Sequence, residues 1–235
     1  DFTDFRRGGI GGSDAPAIMG VSPWRDNYDV WEEKALGVSK SFDSPAMQYG
    51  RNMEEQARKD FEEYMGVVVA PHRLISPINT WLRGNFDGLD FDKKVLVEIK
   101  NIYRNKADHD FAKQNKKPPE KYYPQCQHYI KVMNDCGHDI QGMYYMSNYQ
   151  GDKVIIEVPR DDAYIVAMFS AEKELWDMVL SKTPPVRKET KYTPLEGAQE
   201  AEEAWAEAKA MLEKWDAEER RQRAALLSAA HMENA

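Results

Sequence analysis

What this chain lacks narrows it quickly. It has two cysteines, Cys126 and Cys136, with no CxxC and no zinc-type spacing. That excludes a disulfide-stapled scaffold and fits a reducing, cytoplasmic setting with two buried free thiols. No run of about 18 apolar residues occurs, so no membrane-spanning helix is expected. The first twenty residues lack the basic-then-apolar pattern of a secretory leader. The chain starts at Asp1 rather than Met, which leaves room for native residues ahead of it. Histidine is scarce, and His72, His109 and His128 have no partners at metal-ligand spacing, so they read as structural. No internal repeat or low-complexity tract precedes residue 195.

What is present suits one large α/β domain with an appendage. Apolar residues make up 42% of the 235 positions and aromatics 11%, enough to bury a core. The net charge of −8 argues at first against a nucleic-acid partner. Its distribution argues the other way. Residues 195–235 carry ten acidic and five basic side chains, whereas residues 100–131 carry eight basic and three acidic ones. A basic segment beginning at Lys100 suits a phosphate backbone lying across it, though a solvated helix-and-loop surface has the same composition.

Residue periodicity predicts the elements. Ser13-Asp14-Ala15-Pro16 reads as an N-cap and first turn of a short helix stopped by Gly20. A second helix covers 27–36 and ends at Gly37, and a longer one opens at Ser44-Pro45 and stops at Gly66. Strand formers then cluster at 67–69, 81–82 and 95–99. Helices come next over 105–114 and 119–135, then strands over 141–148 and 153–158, and a helix over 161–182. This order predicts an α/β core with a mixed central sheet flanked by helices, over residues 1–187. Residues 188–194 read as a linker, and 195–228 as an Ala/Glu-rich helix with Trp205, Ala208, Leu212 and Trp215 on one stripe.

The chemistry concentrates in Gly84–Lys100. If Asp92-Lys93 is a two-residue hairpin loop, residues whose numbers sum to 185 face each other, so Phe91 pairs with Lys94 and Asp87 falls opposite Glu98. Cross-strand partners hold their Cβ atoms about 4.5–5.5 Å apart, and two carboxylates that close repel unless a cation lies between them. Glu98 and Lys100 share one sheet face while Val97 and Ile99 point to the other. Two acids and a lysine therefore converge on one spot of an otherwise apolar strand. Oxygen ligands without His or Cys favour Mg²⁺ or Mn²⁺ over zinc. Such an ion activates water and offsets charge on a phosphoryl group. A strand reading E-x-K is common by itself; the spacing Asp-x10-Glu-x-Lys after Gly-x-x-Asp-Gly is not.

With these residues in view, the chain resembles the YqaJ-type viral recombinases, the lambda exonuclease family of the PD-(D/E)XK nuclease superfamily. The likeness runs over residues 2–182 and rests on four ordered motifs: Arg6 to Ser13 within Arg-Arg-Gly-Gly-Ile-Gly-Gly-Ser, Tyr49-Gly50-Arg51-Asn52-Met53-Glu54, the Asp87/Glu98/Lys100 core, and Tyr122-Tyr123-Pro124-Gln125-Cys126-Gln127. The resemblance implies that Asp87, Glu98 and the carbonyl of Ile99 hold one metal ion, that Glu54 with Asp87 serves a second, and that Lys100 handles the nucleophilic water. It implies 5′-phosphate binding by Arg6, Ser13 and Gln125. Phe86 stands where the family has proline, and Asn85 where the lambda exonuclease type has a phosphate-binding serine.

The implied activity is a Mg²⁺-dependent 5′→3′ exonuclease that degrades one strand of linear double-stranded DNA and leaves 3′ tails for a strand-annealing partner. A ring-shaped homotrimer, and a phage or prophage protein in a bacterial host, are implied with it. An endonuclease or other-polarity nuclease on the same core is the first alternative. A DNA-binding scaffold without cleavage is the second.

Overall fold

Alternating apolar residues in six segments build one mixed sheet with helices on both faces. In this computed structural model residues 2–38 and 44–187 are described, together with Met211, Lys214, Trp215, Glu218, Glu219, Arg221 and Gln222, which are helical. The chain divides into two units, Asp1–Arg187 and Lys188–Ala235. Trp205, Ala208, Leu212 and the 188–194 segment lie outside the described residues.

The first unit opens with α1 (Phe2–Arg7), β1 (Ile10–Gly11), α2 (Ala15–Ile18) and α3 (Asn27–Trp31), whose last turn runs into a π-helical turn over Glu32–Leu36. Next come α4 (Pro45–Met65), β2 (Ala70–Ile75), β3 (Leu82–Asp90) and β4 (Val95–Asn101). The remainder is α5 (Ala107–Asn115), a 3₁₀ turn (Glu120–Tyr122), α6 (Tyr123–Asp135), β5 (Gly142–Tyr149), β6 (Asp152–Pro159) and α7 (Asp162–Ser181). Ser44 caps α4 by accepting the Met47 N–H, and Gly66 ends it in the left-handed region, as the sequence predicts.

Period-two alternation sorts the side chains by face. Leu96 and Tyr145 pack with Phe86, Ile130, Met133 and Ile165 under α6 and α7. Val97, Ile99 and Met146 pack with Ala57 and Phe61 of α4 on the other face. Glu98 and Lys100 thus face the α6 side, as the i, i+2 rule requires.

Strand β3 is the junction. It pairs in parallel with β1 at Leu82–Arg83 and antiparallel with β2 from Arg83 to Leu89. It also pairs antiparallel with β4 over Gly88–Asp90. Arg83 has partners in both β1 and β2, and Leu89 in both β2 and β4. Strands β1 and β4 therefore share one edge of β3, and Gly84–Asp87 lie in the gap between them.

Several sequence expectations change. The β3–β4 register keeps the sum of 185, but the loop is four residues, Phe91–Lys94, with Lys94 at φ 54°. Phe91 and Lys94 therefore leave the ladder. The strand expected at 67–69 begins at Ala70. The N-cap of α2 is Asp14, not Ser13, and its carboxylate turns back to accept the Gly11 N–H at 3.0 Å. Cys126 is buried, but Cys136 is only half-buried. Helix α1 and strand β1 are additions that the sequence pattern did not reveal.

Candidate active site

The gap in β3 opens into a cavity of about 720 Å³ whose lining includes Arg6, Ser13, Glu54, Asn85, Asp87, Glu98, Ile99, Lys100 and Gln125. All nine residues singled out from the sequence come together there, from α1, the β1–α2 loop, α4, β3, β4 and α6.

At its floor the Asp87 carboxylate accepts the Ile99 N–H at 2.8 Å. A side chain thus replaces backbone pairing just where the β3–β4 ladder ends. Glu98 is 2% exposed. One of its oxygens accepts from Lys100 Nζ, and Oε2 is buried without a hydrogen-bond partner. Burial and the facing Glu98 push the Asp87 carboxyl well above its usual range. Burial likewise raises Glu98 against the opposing pull of Lys100. Lys100 itself is raised, because Glu98 and Asp87 outweigh its burial; it carries its proton at neutral pH and acts as a donor. Its Nζ also donates to Gln125 Oε1 at 3.1 Å.

These donors suit a hard divalent cation, since two neighbouring acids, Glu98 buried and Asp87 half-buried, repel, and one Glu98 oxygen lacks a hydrogen-bond partner. Among the described residues no group of three or more His, Cys, Asp or Glu forms a ready-made cage. The set would be two carboxylates completed by the Ile99 carbonyl, with Glu54 at the rim. Glu54 is partly exposed and accepts from Arg58 Nη2 at 3.4 Å.

Other candidates have protein partners as well. Arg6 lines the cavity and reaches Glu33 at 3.2 Å, whereas Arg7 donates to the Gly37 carbonyl at 3.0 Å. Asn85 accepts from Arg73 Nε through its side-chain oxygen at 3.2 Å, which turns the acceptor end of its amide toward the protein. Gln125 uses both ends of its amide: it accepts from Lys100 and donates to Tyr129 Oη at 3.1 Å. Ser13 is exposed.

Three supports were not apparent from the sequence. Arg58 Nε donates to the Asp87 carbonyl at 3.0 Å, tying α4 to β3; the Glu54/Arg58 i, i+4 spacing was the available signal. Tyr129 Oη donates to the Asn85 carbonyl at 2.7 Å, and its ring lies where a Cβ on Gly12 would approach within 2.4 Å. Only glycine fits at Gly12. Finally, Lys34 is buried against Asp14 at 2.9 Å and donates to the Arg6 carbonyl at 2.7 Å, so a hidden ion pair fixes the segment that carries Arg6 and Ser13.

Burial would raise the Asp14 carboxyl, but Lys34, Arg25, Arg6 and the Gly11 N–H outweigh it and bring it from 3.8 down to about 2. A depressed carboxyl contributes stability in full above its unfolded value and loses it as the pH falls toward the folded one. Asp14→Asn should therefore flatten the acid limb of a melting-temperature profile between about pH 4 and pH 2, a loss of about 2 kcal/mol in the parent. Parallel limbs for parent and variant would refute the assignment.

His109 and His128 are buried and held by partners within the fold. His109 contacts Ser147 at 3.0 Å and Asp152 at 3.3 Å. This Ser–His–Asp array is no nucleophile, because Ser147 is fully buried. Among the described residues no helix is long and apolar enough to cross a membrane.

Solved exonucleases share this arrangement of sheet and helices. An alkaline exonuclease, LHK-Exo from Laribacter hongkongensis, superposes with a TM-score of 0.63 at 21% identity, covering 76% of this chain and 91% of that one. A phage-related exonuclease from Haemophilus somnus 129PT gives 0.55 at 15% identity, covering 74% and 96%. The fold is thus one that these two exonucleases share. The profile of the YqaJ-like viral recombinase domain matches residues 1–137, and the chain belongs to that family. The uncharacterized protein YqaJ of Bacillus subtilis (strain 168) is 32% identical over 206 residues. That alignment covers 84% of this chain, which spans 59% of the relative's length.

Proposed function

We propose that this protein is a divalent-metal-dependent 5′→3′ exonuclease on linear double-stranded DNA. In this reading residues 1–187 carry the nuclease and 188–235 form a linker and helical appendage. The observation that carries it is one cavity lined by two neighbouring acids, Glu98 buried and Asp87 half-buried, a lysine and, on neighbouring elements, an arginine, a serine and two amides. LHK-Exo was also solved in complex with dAMP, superposing at 0.62 with 22% identity; a bound nucleotide on this fold supports nucleotide release.

Mg²⁺, with Mn²⁺ as substitute and two ions per site, would offset phosphodiester charge and activate water when bound. Asp87, Glu98 and the Ile99 carbonyl would hold the first ion, and Glu54 with Asp87 the second. Lys100 donates a hydrogen bond toward the attacking water and the developing negative charge, and Gln125 keeps its ammonium pointed there. Arg6, Ser13 and Asn85, with Gln125, bind the 5′-phosphate through charge-assisted and neutral hydrogen bonds. The 3′ tails left behind would serve a single-strand annealing protein in the host cytoplasm. A homotrimer encircling the duplex would keep basic surface inward despite the net charge of −8.

End-labelled duplex tests the polarity. A 5′-phosphorylated end should be degraded at least about tenfold faster than a 5′-hydroxyl end, since losing a charge-assisted contact costs about 1.5–3 kcal/mol. Equal rates, or label lost from the 3′ side first, would favour another polarity or an endonuclease on the same core.

A further inference from the structure

Trp24 has no role in the chemistry above, yet it lines the same cavity as Lys100 and Arg6. It is 67% exposed. A single exposed tryptophan on a surface needs no explanation, but three observations set this one apart. First, its backbone is fixed: Ser22 Oγ accepts the N–H groups of Trp24 at 3.2 Å and Arg25 at 3.4 Å. Second, Lys121 Nζ lies 4.8 Å from the centre of its ring, and Lys121 is itself anchored on Asp108 at 2.7 Å. Third, a second ring continues the surface inward. Tyr122 lies 6.3 Å from Trp24, centroid to centroid, and Lys100 Nζ lies 5.1 Å from the Tyr122 centroid.

We propose that Trp24, braced by Lys121, is a stacking platform for the nucleobase of the 5′-terminal nucleotide. This rests on the nuclease reading, because a nucleotide held between Arg6 and Lys100 has the platform beside it. The indole offers a flat, polarisable face to any base, and Lys121 adds a cation suited to the adjoining phosphate. Stacking of this kind tolerates every base, which is what an enzyme removing successive nucleotides requires. Fixing the loop beforehand lowers the ordering cost of binding.

The test pairs a variant with an altered substrate. Trp24→Ala should lower kcat/KM about tenfold on duplex with a normal 5′-phosphorylated terminal nucleotide, within the range of about 5- to 150-fold known for base–aromatic stacking. On duplex whose terminal nucleotide is abasic, parent and variant should be equal, and Trp24→Phe should recover most of the loss on the normal end. Equal losses on both substrates, or none on the normal one, would overturn the platform. Binding is read separately without metal: adding normal duplex should quench tryptophan fluorescence in the parent more than in Trp24→Phe, and abasic duplex should abolish that difference. Should the parent bind but never cleave, the nuclease reading falls, and the quenching difference alone then decides the platform.

Discussion

Lys100→Ala is expected to lower the rate of duplex degradation about a thousandfold at saturating Mg²⁺, in the range found when a positioned proton donor or charge-stabilising group is removed. Burial alone would favour a neutral amine, but Glu98 and Asp87 hold the ammonium charged. Its hydrogen bonds to Glu98 and Gln125 aim it into the cavity. The effect should appear in kcat rather than KM, because the donor matters most as charge develops. The variant also releases Glu98 from an ion pair, so Mn²⁺ binding should hold or tighten while cleavage is lost. A rate within tenfold of the parent, in a protein that still binds Mn²⁺, would remove Lys100 from the mechanism.

The second large effect lies away from the chemistry. His128 and Glu172 are both fully buried, and Nδ1 lies 2.7 Å from Glu172 Oε1 while Nε2 lies 3.0 Å from the Arg83 carbonyl. A carbonyl can only accept, so Nε2 carries a proton. The facing Glu172 carboxylate favours a second proton on Nδ1, the imidazolium form. Burial would lower the His128 pKa, but Glu172 and the Arg83 carbonyl raise it above 6.5. His128→Leu leaves Glu172 buried and unpaired. The expected cost is about 3–5 kcal/mol, or roughly 10 °C in melting temperature for a domain of this size.

His128→Leu combined with Glu172→Leu should recover much of that loss, since an apolar pair removes both desolvation penalties. The raised value sets the sign of the pH dependence. The contribution is complete below about pH 6.5 and fades as the pH rises through the folded pKa. The parent should lose stability on the alkaline side, and the double variant should lose that slope. A double variant as unstable as His128→Leu would mean that packing, not charge, dominates at this site.

How much of this was legible beforehand depends on how local each cause is. The α4 boundaries were readable because Ser44, Pro45 and Gly66 act on their own backbone. The β3–β4 register was readable because the loop is centred on Asp92-Lys93 whether it has two residues or four. The loop was misread as two residues: Lys94 takes positive φ without being glycine or asparagine, so composition gave no sign of it. Strand β1 is two residues long and defined by its partner, beyond the reach of periodicity. Arg58, Tyr129 and the Asp14–Lys34 pair matter through contacts across 20 to 44 positions of chain, which one sequence does not display. Arg6, Ser13, Glu54 and Gln125 could be named in advance only through the family likeness, since each type is common on helices and loops.

The π turn at Glu32–Leu36 bears on how the entrance to the cavity came to be wired. Such a turn carries one more residue than the α-helical spiral it interrupts, so the chain after it is rotated by about 100° relative to the chain before it. Consecutive side chains can then both look inward: Glu33 meets Arg6 and Arg25, and Lys34 meets Asp14. The charge on the Arg6 side of the cavity is therefore set by the pitch of one short coil.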